Sequence, residues 1–237
     1  MLTDPPEVYR TPRVEAARRT APALFTQPGQ LYDVDPSRSS LLAQAATSLS
    51  GAGPRPFDAD QRLVVPLYQL DIARPFEQWT VLARAGGSDN PIALSDLGLA
   101  AGREYLAFEF WTRRFLGVVS DSLRPGPVDP RFQVQVFCLR TRLTHPQVVA
   151  TSRHVTCGGP DLADVRWGGG VLSGVSELVA GDVYAIYLAE PAGYRLQAVD
   201  VAGATLIDRP TEGGARVIRL RSERGGRAAW RVRYAEP

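Results

Sequence analysis

THPQVVATSRHVTCGGPDLADVRWGGGVLSGVSELVAGDVYAIYLAEP, residues 144–191, holds both histidines of the chain and one of its two cysteines. It decides the fold because its apolar residues come in short runs, at 146–156, 162–167, 171–178 and 183–189, each broken by Gly, Pro or Asp. Runs of that length, rich in Val, Ile, Tyr and Trp and punctuated by turn residues, predict β-strands. GGG at 168–170 falls where a hairpin between DVRW and VLSGVSEL needs its turn. No helical pattern and no Lys follows these glycines, so they do not form a phosphate loop.

The same pattern continues on both sides. Downstream, strands are expected at 194–200, 204–208, 215–221 and 228–234, and upstream at 62–70, 78–84, 104–111, 114–119 and 132–139. Many short strands at close spacing, without interleaved helices, predict an all-β protein built of antiparallel sandwiches. RTRLTHP at 140–146 interrupts the strands with charge and Pro146, which predicts two consecutive β-sandwich domains, 61–142 and 143–237. Before them, residues 1–60 read as a linker-like lead-in with two short helices, RVEAARRTAPAL and SRSSLLAQAATSL, the second N-capped by Ser37 and followed by Gly51.

Composition excludes several classes. With 237 residues, 44% hydrophobic and 22% charged, the chain can bury a real core. Every one of its 27 basic residues is Arg, and they balance 25 acidic ones. The mild concentration at Arg216, Arg219, Arg221, Arg224, Arg227, Arg231 and Arg233 has the period of a solvated strand face, so no nucleic-acid partner is expected. The N-terminus shows no basic-then-apolar signal pattern and no apolar run approaches ~18 residues, which predicts a cytoplasmic protein without a membrane partner.

Asp161 and Asp164 are three apart at a strand start, which sends them to opposite faces, and Asp161 after Pro160 reads as a turn and surface residue rather than half of a hydrolytic pair. His145, His154 and Cys157 offer metal-ligand atoms, but their spacing has no CxxC or HxxxH element, so no metal and no cofactor is expected. Ser152 and His154 lack the Gly-x-Ser-x-Gly turn that presents a nucleophile. Cys138, within FQVQVFCLR, reads as a small apolar residue, and spacing alone does not decide whether it pairs with Cys157. Among the four tryptophans, Trp79 and Trp230 lie in alternating apolar strands and read as core, and Trp111 reads as packed. Trp167 sits at a strand end beside Arg166, and a strand carrying Arg153 and His154 could pair with it. These four residues, Arg153, His154, Arg166 and Trp167, are the candidate carbohydrate-binding patch, because an aromatic face with planar polar neighbours suits a sugar ring.

The run WTVLARAGGSDNPIALSDLGLAAGREYLAFEFWTRRFLGVVSDSLRPGPVDPRFQVQVFCLR, residues 79–140, resembles the β-sandwich that follows the catalytic barrel in α-galactosidase-like (melibiase-type) glycoside hydrolases. RTAPALFTQPGQLYDVDPSR resembles the linker off that barrel, and Thr151, Arg153, His154, Thr156 and Gly158, with DVRW and LSG, resemble a further C-terminal β-domain of some bacterial members. A barrel alone takes about 250 residues of alternating strand and helix, a pattern this chain does not show, and the family's catalytic carboxylates have no counterpart to carry over. The resemblance implies a non-catalytic accessory protein whose partner is a separate glycosidase barrel chain or a carbohydrate, with a homo-oligomer left open. A glycoside hydrolase in its own right is the remaining alternative.

Overall fold

The computed structural model describes residues 55–56, 67–85, 90–128 and 134–235. The two expected lead-in helices lie outside the described residues. Within them the chain is all-β, with no helix. In chain order the strands begin with β1 (Arg55–Pro56), β2 (Leu67–Arg74), β3 (Glu77–Ala85), β4 (Ile92–Ala93), β5 (Tyr105–Glu109), β6 (Arg114–Val119), β7 (Ser122–Leu123) and β8 (Val134–Thr141). They continue with β9 (Gln147–Thr151), β10 (Leu162–Gly168), β11 (Val171–Leu178), β12 (Val183–Ala189), β13 (Arg195–Ala202), β14 (Thr205–Asp208), β15 (Thr211–Glu212), β16 (Ala215–Arg221) and β17 (Gly226–Ala235).

All pairings are antiparallel and give three main sheets. The first has the order β1-β2-β3-β8-β5-β6, the second β14-β16-β12-β9 with β15 on β16, and the third β10-β11-β17-β13. The short pair β4-β7 belongs to the segment that covers the first sheet's outer face.

Side-chain alternation explains the stacking. In β12, Ala185, Tyr187 and Ala189 join Phe108, Val136 and Cys138 of the first sheet in one apolar cluster. The intervening Tyr184, Ile186 and Leu188 join Leu172, Trp230 and Val232 of the third sheet in another. Successive side chains of a strand point to opposite faces, so the second sheet is buried on both. Its two interfaces are sheet-on-sheet packings, in which each fully buried Leu, Ile or Phe contributes about 1.5–3 kcal/mol. The first cluster draws side chains from both sides of residues 140–146. β5 and β8 also bury apolar side chains on their outer face, because Tyr105, Phe137 and Leu139, with Leu82 of β3, pack outward under Leu94, Leu97 and Leu123.

The expected hairpin at 168–170 is present: β10 and β11 pair through Gly168↔Val171, and Gly169 and Gly170 take φ of 55° and 71°. Two successive positive φ values are what a two-residue turn matching the strand twist requires. Trp79 and Trp230 are core, as expected. The expected single strand at 146–156 is not what forms. β9 ends at Thr151, and the chain leaves the sheet through Cys157, at φ 57°, and Gly158, at φ 111°. Two consecutive residues in left-handed backbone turn the chain off the extended course that a strand through residue 156 would need.

Candidate functional site

The loop after β9 carries polar residues into the interior. From Arg153 to Gly159 every residue is buried, unusual for a connection, whose polar backbone ordinarily stays at the surface. Side chains of the first sheet meet that demand. Trp79 Nε1 donates to the Thr156 carbonyl at 2.9 Å, and Arg140 Nη2 donates to the Cys157 carbonyl at 2.8 Å. The fully buried Arg140 also donates through Nε to the Val149 carbonyl at 3.2 Å, pairs with Glu77, and lies 3.8 Å above the Trp79 ring. Burial pushes the Glu77 carboxyl up, and the Arg140 guanidinium pulls it only part of the way back.

His154 is enclosed. Thr156 N donates to its Nδ1 at 3.2 Å, and the Thr156 hydroxyl lies 2.6 Å from the same atom, so the neutral ring carries its proton on Nε2. Burial, and then the neighbouring Arg153, lower its pKa to about 3. Arg153 Nη1 donates to the Glu177 carbonyl at 2.9 Å. Cys138 and Cys157 are both buried free thiols, and Cys157 Sγ donates to the Val155 carbonyl at 3.6 Å.

Asp161 corrects the turn-and-surface expectation: it is 2% exposed and accepts from Thr151 Oγ1 and Tyr184 OH, each at 2.7 Å. Burial raises its pKa, against the pull of those two hydroxyls. Asp164 is exposed at φ 53°, in an irregularity of β10 between Ala163 and Arg166. One carboxyl is inside and the other outside, so the two do not form a pair.

The expected sugar patch is divided. Arg166 is exposed and Trp167 half-buried on β10, whose partner is β11, whereas β9 pairs with β12. Trp167 lies opposite Leu172, and Arg153 reaches β11 at Glu177, five residues further, about 17 Å along the strand. The structure thus joins Arg153 with His154 in the interior and Arg166 with Trp167 at the surface, and keeps the two pairs apart. Trp167 is itself occupied: the His145 ring stacks on it at 4.9 Å and 2°, and Tyr194 and Tyr234 flank it at 5.6 Å and 6.0 Å. Since His145 sits in this aromatic cluster while His154 and Cys157 are interior, those three do not converge, and among the described residues no three His, Cys, Asp or Glu side chains do.

Elsewhere among the described residues two cavities open. One, of about 330 Å³, lies between β6 and the second sheet, lined by Arg142, Leu143, His145, Glu190 and Arg216. In it Glu190 Oε1 accepts from Tyr234 OH at 2.9 Å and Arg216 Nε at 3.3 Å. Burial, and then the Glu190 charge, push the Tyr234 hydroxyl well above its ordinary range. The other, of about 510 Å³, lies on the outer face of the first sheet, over Asp71, Gln78 and Thr80 and beneath Leu97–Ala100. There Asp71 Oδ1 accepts from Gln69 Nε2 at 3.0 Å and from Thr80 Oγ1 at 2.8 Å. Sequence reading passed over Asp71 and Glu190. The one available signal was an Asp within the strand run LYQLDIAR, where β-strands disfavour that residue.

Several arginines of the C-terminal strands are ion-paired rather than massed: Arg219 with Asp208 and Glu212, Arg233 with Asp200, Arg221 with Glu223 and Arg227 with Asp164. Among the described residues no helix is long and apolar enough to cross a membrane. No known protein family matches the chain, and no curated protein sequence matches it.

Proposed function

We propose that the chain is a non-catalytic accessory β-protein, related to α-galactosidase-like glycoside hydrolases, that acts by holding a carbohydrate. The observation that carries this reading is the distribution of carboxylates. Each of the two cavities described above is lined by several hydrogen-bonding side chains and by one carboxylate, Asp71 in the larger and Glu190 in the smaller. Glycoside hydrolysis ordinarily uses two, one as acid and one as nucleophile or base, about 5–10 Å apart. A single fixed carboxylate among hydrogen-bond donors suits binding. The buried loop from Arg153 to Gly159, which carries part of the family resemblance, supports the same reading, because its polar groups are engaged within the protein.

Docking to a barrel chain calls for a broad exposed apolar face. The exposed large apolar side chains among the described residues are Val118, Leu143, Val183 and Ile207. Val118 and Leu143 line the smaller cavity, which favours a small ligand over a docked barrel.

Calorimetry with methyl α- and β-galactosides, the matching glucosides and a soluble polysaccharide tests the proposal, alongside turnover of nitrophenyl glycosides. Saturable binding without turnover is expected. Binding to none of these sugars, or turnover that co-purifies with the protein, overturns it.

A further inference from the structure

We infer that the cavity over β2 and β3 is the saccharide site, taking one neutral pyranose unit through its hydroxyls, with Asp71 as the anchoring acceptor and Arg103 as the rim donor. This rests on the carbohydrate-binding reading above and gives it a place other than Trp167. The floor is the outer face of the first sheet at the point where its apolar cover stops. Leu82, Phe137 and Leu139 lie under Leu94 and Leu97, and beyond Leu97 the sheet presents Asp71, Thr80 and Gln78 to the cavity.

Two buried side chains orient the anchor. Gln69 and Thr80 are 4% and 5% exposed, and both donate to the same Asp71 oxygen. That fixes the carboxylate plane against the sheet, so little rotamer entropy is lost when a ligand binds. Gln69 Nε2 also reaches the Leu97 carbonyl at 3.0 Å, and Ala100 N donates to Tyr105 OH at 2.9 Å. The overhanging segment is thereby tied at both ends, and the cavity is formed before any ligand arrives.

Charge and size narrow the ligand. The lining holds one carboxylate and one guanidinium, Asp71 and Arg103, whose charges sum to zero, which suits a neutral ligand. Planar carboxylate, amide and guanidinium groups can each contact two neighbouring hydroxyls. The volume of about 510 Å³ lies within the usual range for small-molecule sites. Trp167, by contrast, already has His145 stacked on its ring.

The test uses the whole chain and two probes, methyl α-galactoside and methyl α-glucoside, by calorimetry. Ala73, exposed on β2 and lining the cavity, is changed to Trp to fill the space without removing any hydrogen bond, a residue that strands accept readily. Arg103→Ala removes the rim donor at an exposed position, and thermal unfolding confirms that each variant folds. Wild type is expected to bind, with A73W and R103A weakened roughly 10- to 100-fold and W167A unchanged. Wild-type binding that persists in A73W overturns the site while leaving the carbohydrate reading intact. Wild type binding neither these probes nor the wider sugar panel removes both.

Discussion

Replacing Arg140 by Leu should be among the most damaging single changes available in this protein. Arg140 is 0% exposed and ties β8 to the Val149 and Cys157 carbonyls, to Glu77 and to the Trp79 ring. Leucine fills part of the volume but leaves a mostly buried carboxylate without its cation, and the loop carbonyl at Cys157 without its Arg140 donor. Removing one partner of a buried ion pair costs about 3–5 kcal/mol. For a chain of this length that is a fall of roughly 6–20 °C in Tm. The control is Arg142→Leu, whose pair with Glu104 is exposed at both side chains and contributes less than about 1 kcal/mol. Urea unfolding followed by tryptophan fluorescence reads both. Glu77 adds a pH signature. Its folded pKa lies above the ordinary 4.5, so its linkage contribution to stability is full below that ordinary value and is lost as pH rises through the folded one. Without Arg140 the folded value climbs further, and the deficit of R140L should shrink below about pH 4.5 and grow above it. Adding Glu77→Gln to Arg140→Leu should recover part of the loss near pH 7. An R140L protein within about 1 kcal/mol of wild type, or no worse than R142L, would refute the view that this arginine closes the two sheets over the loop.

Two further outcomes follow from packing and burial. His154 is held neutral with a pKa of about 3, below its ordinary 6.5, so the stability this contributes is full above pH 6.5 and is lost as pH falls toward 3. Wild type should lose up to about 1.4 kcal/mol per pH unit across that window from this group alone, and His154→Gln should flatten the profile in denaturant titrations between pH 4 and 7. An unchanged slope would mean the ring takes up its proton without unfolding. Gly174→Ala places a Cβ 2.4 Å from Trp230 Cζ2, within the interface of the second and third sheets. A loss of about 1–3 kcal/mol and a shifted tryptophan emission are expected, and a neutral effect would show that the Trp230 ring can move aside.

How much of this was legible in the sequence depends on how far each determinant reaches along the chain. The hairpin at Gly169–Gly170 was legible because a two-residue turn with positive φ is a local demand that glycine meets locally. β17 was legible for a related reason: Ala228, Trp230, Val232 and Tyr234 alternate with Arg227, Arg231 and Arg233, and one buried face gives that period directly. The course of residues 152–161 was not. TSRHVTCGG has the composition of a strand end, and what draws it inward is Trp79 and Arg140, 77 and 17 residues away in the pairs they form. Asp161 read as a turn residue for the same reason, since its partner Tyr184 comes 23 residues later. The candidate patch rested on assumed strand pairing, and pairing is a long-range choice.

By itself, then, the sequence determined the class of structure: antiparallel strands, the turns between several of them, and tryptophans 79 and 230 in the core. Those are consequences of period-two alternation and of backbone conformations open to glycine, properties of a few adjacent residues. Only the tertiary structure decided that the second sheet is covered on both faces, that Arg140, His154 and Asp161 are interior, and that Asp71 stands in a cavity with Gln69 and Thr80 behind it. Whether a polar side chain in a strand meets water or protein depends on what lies over that face, and the covering residues come from sheets formed far away along the chain.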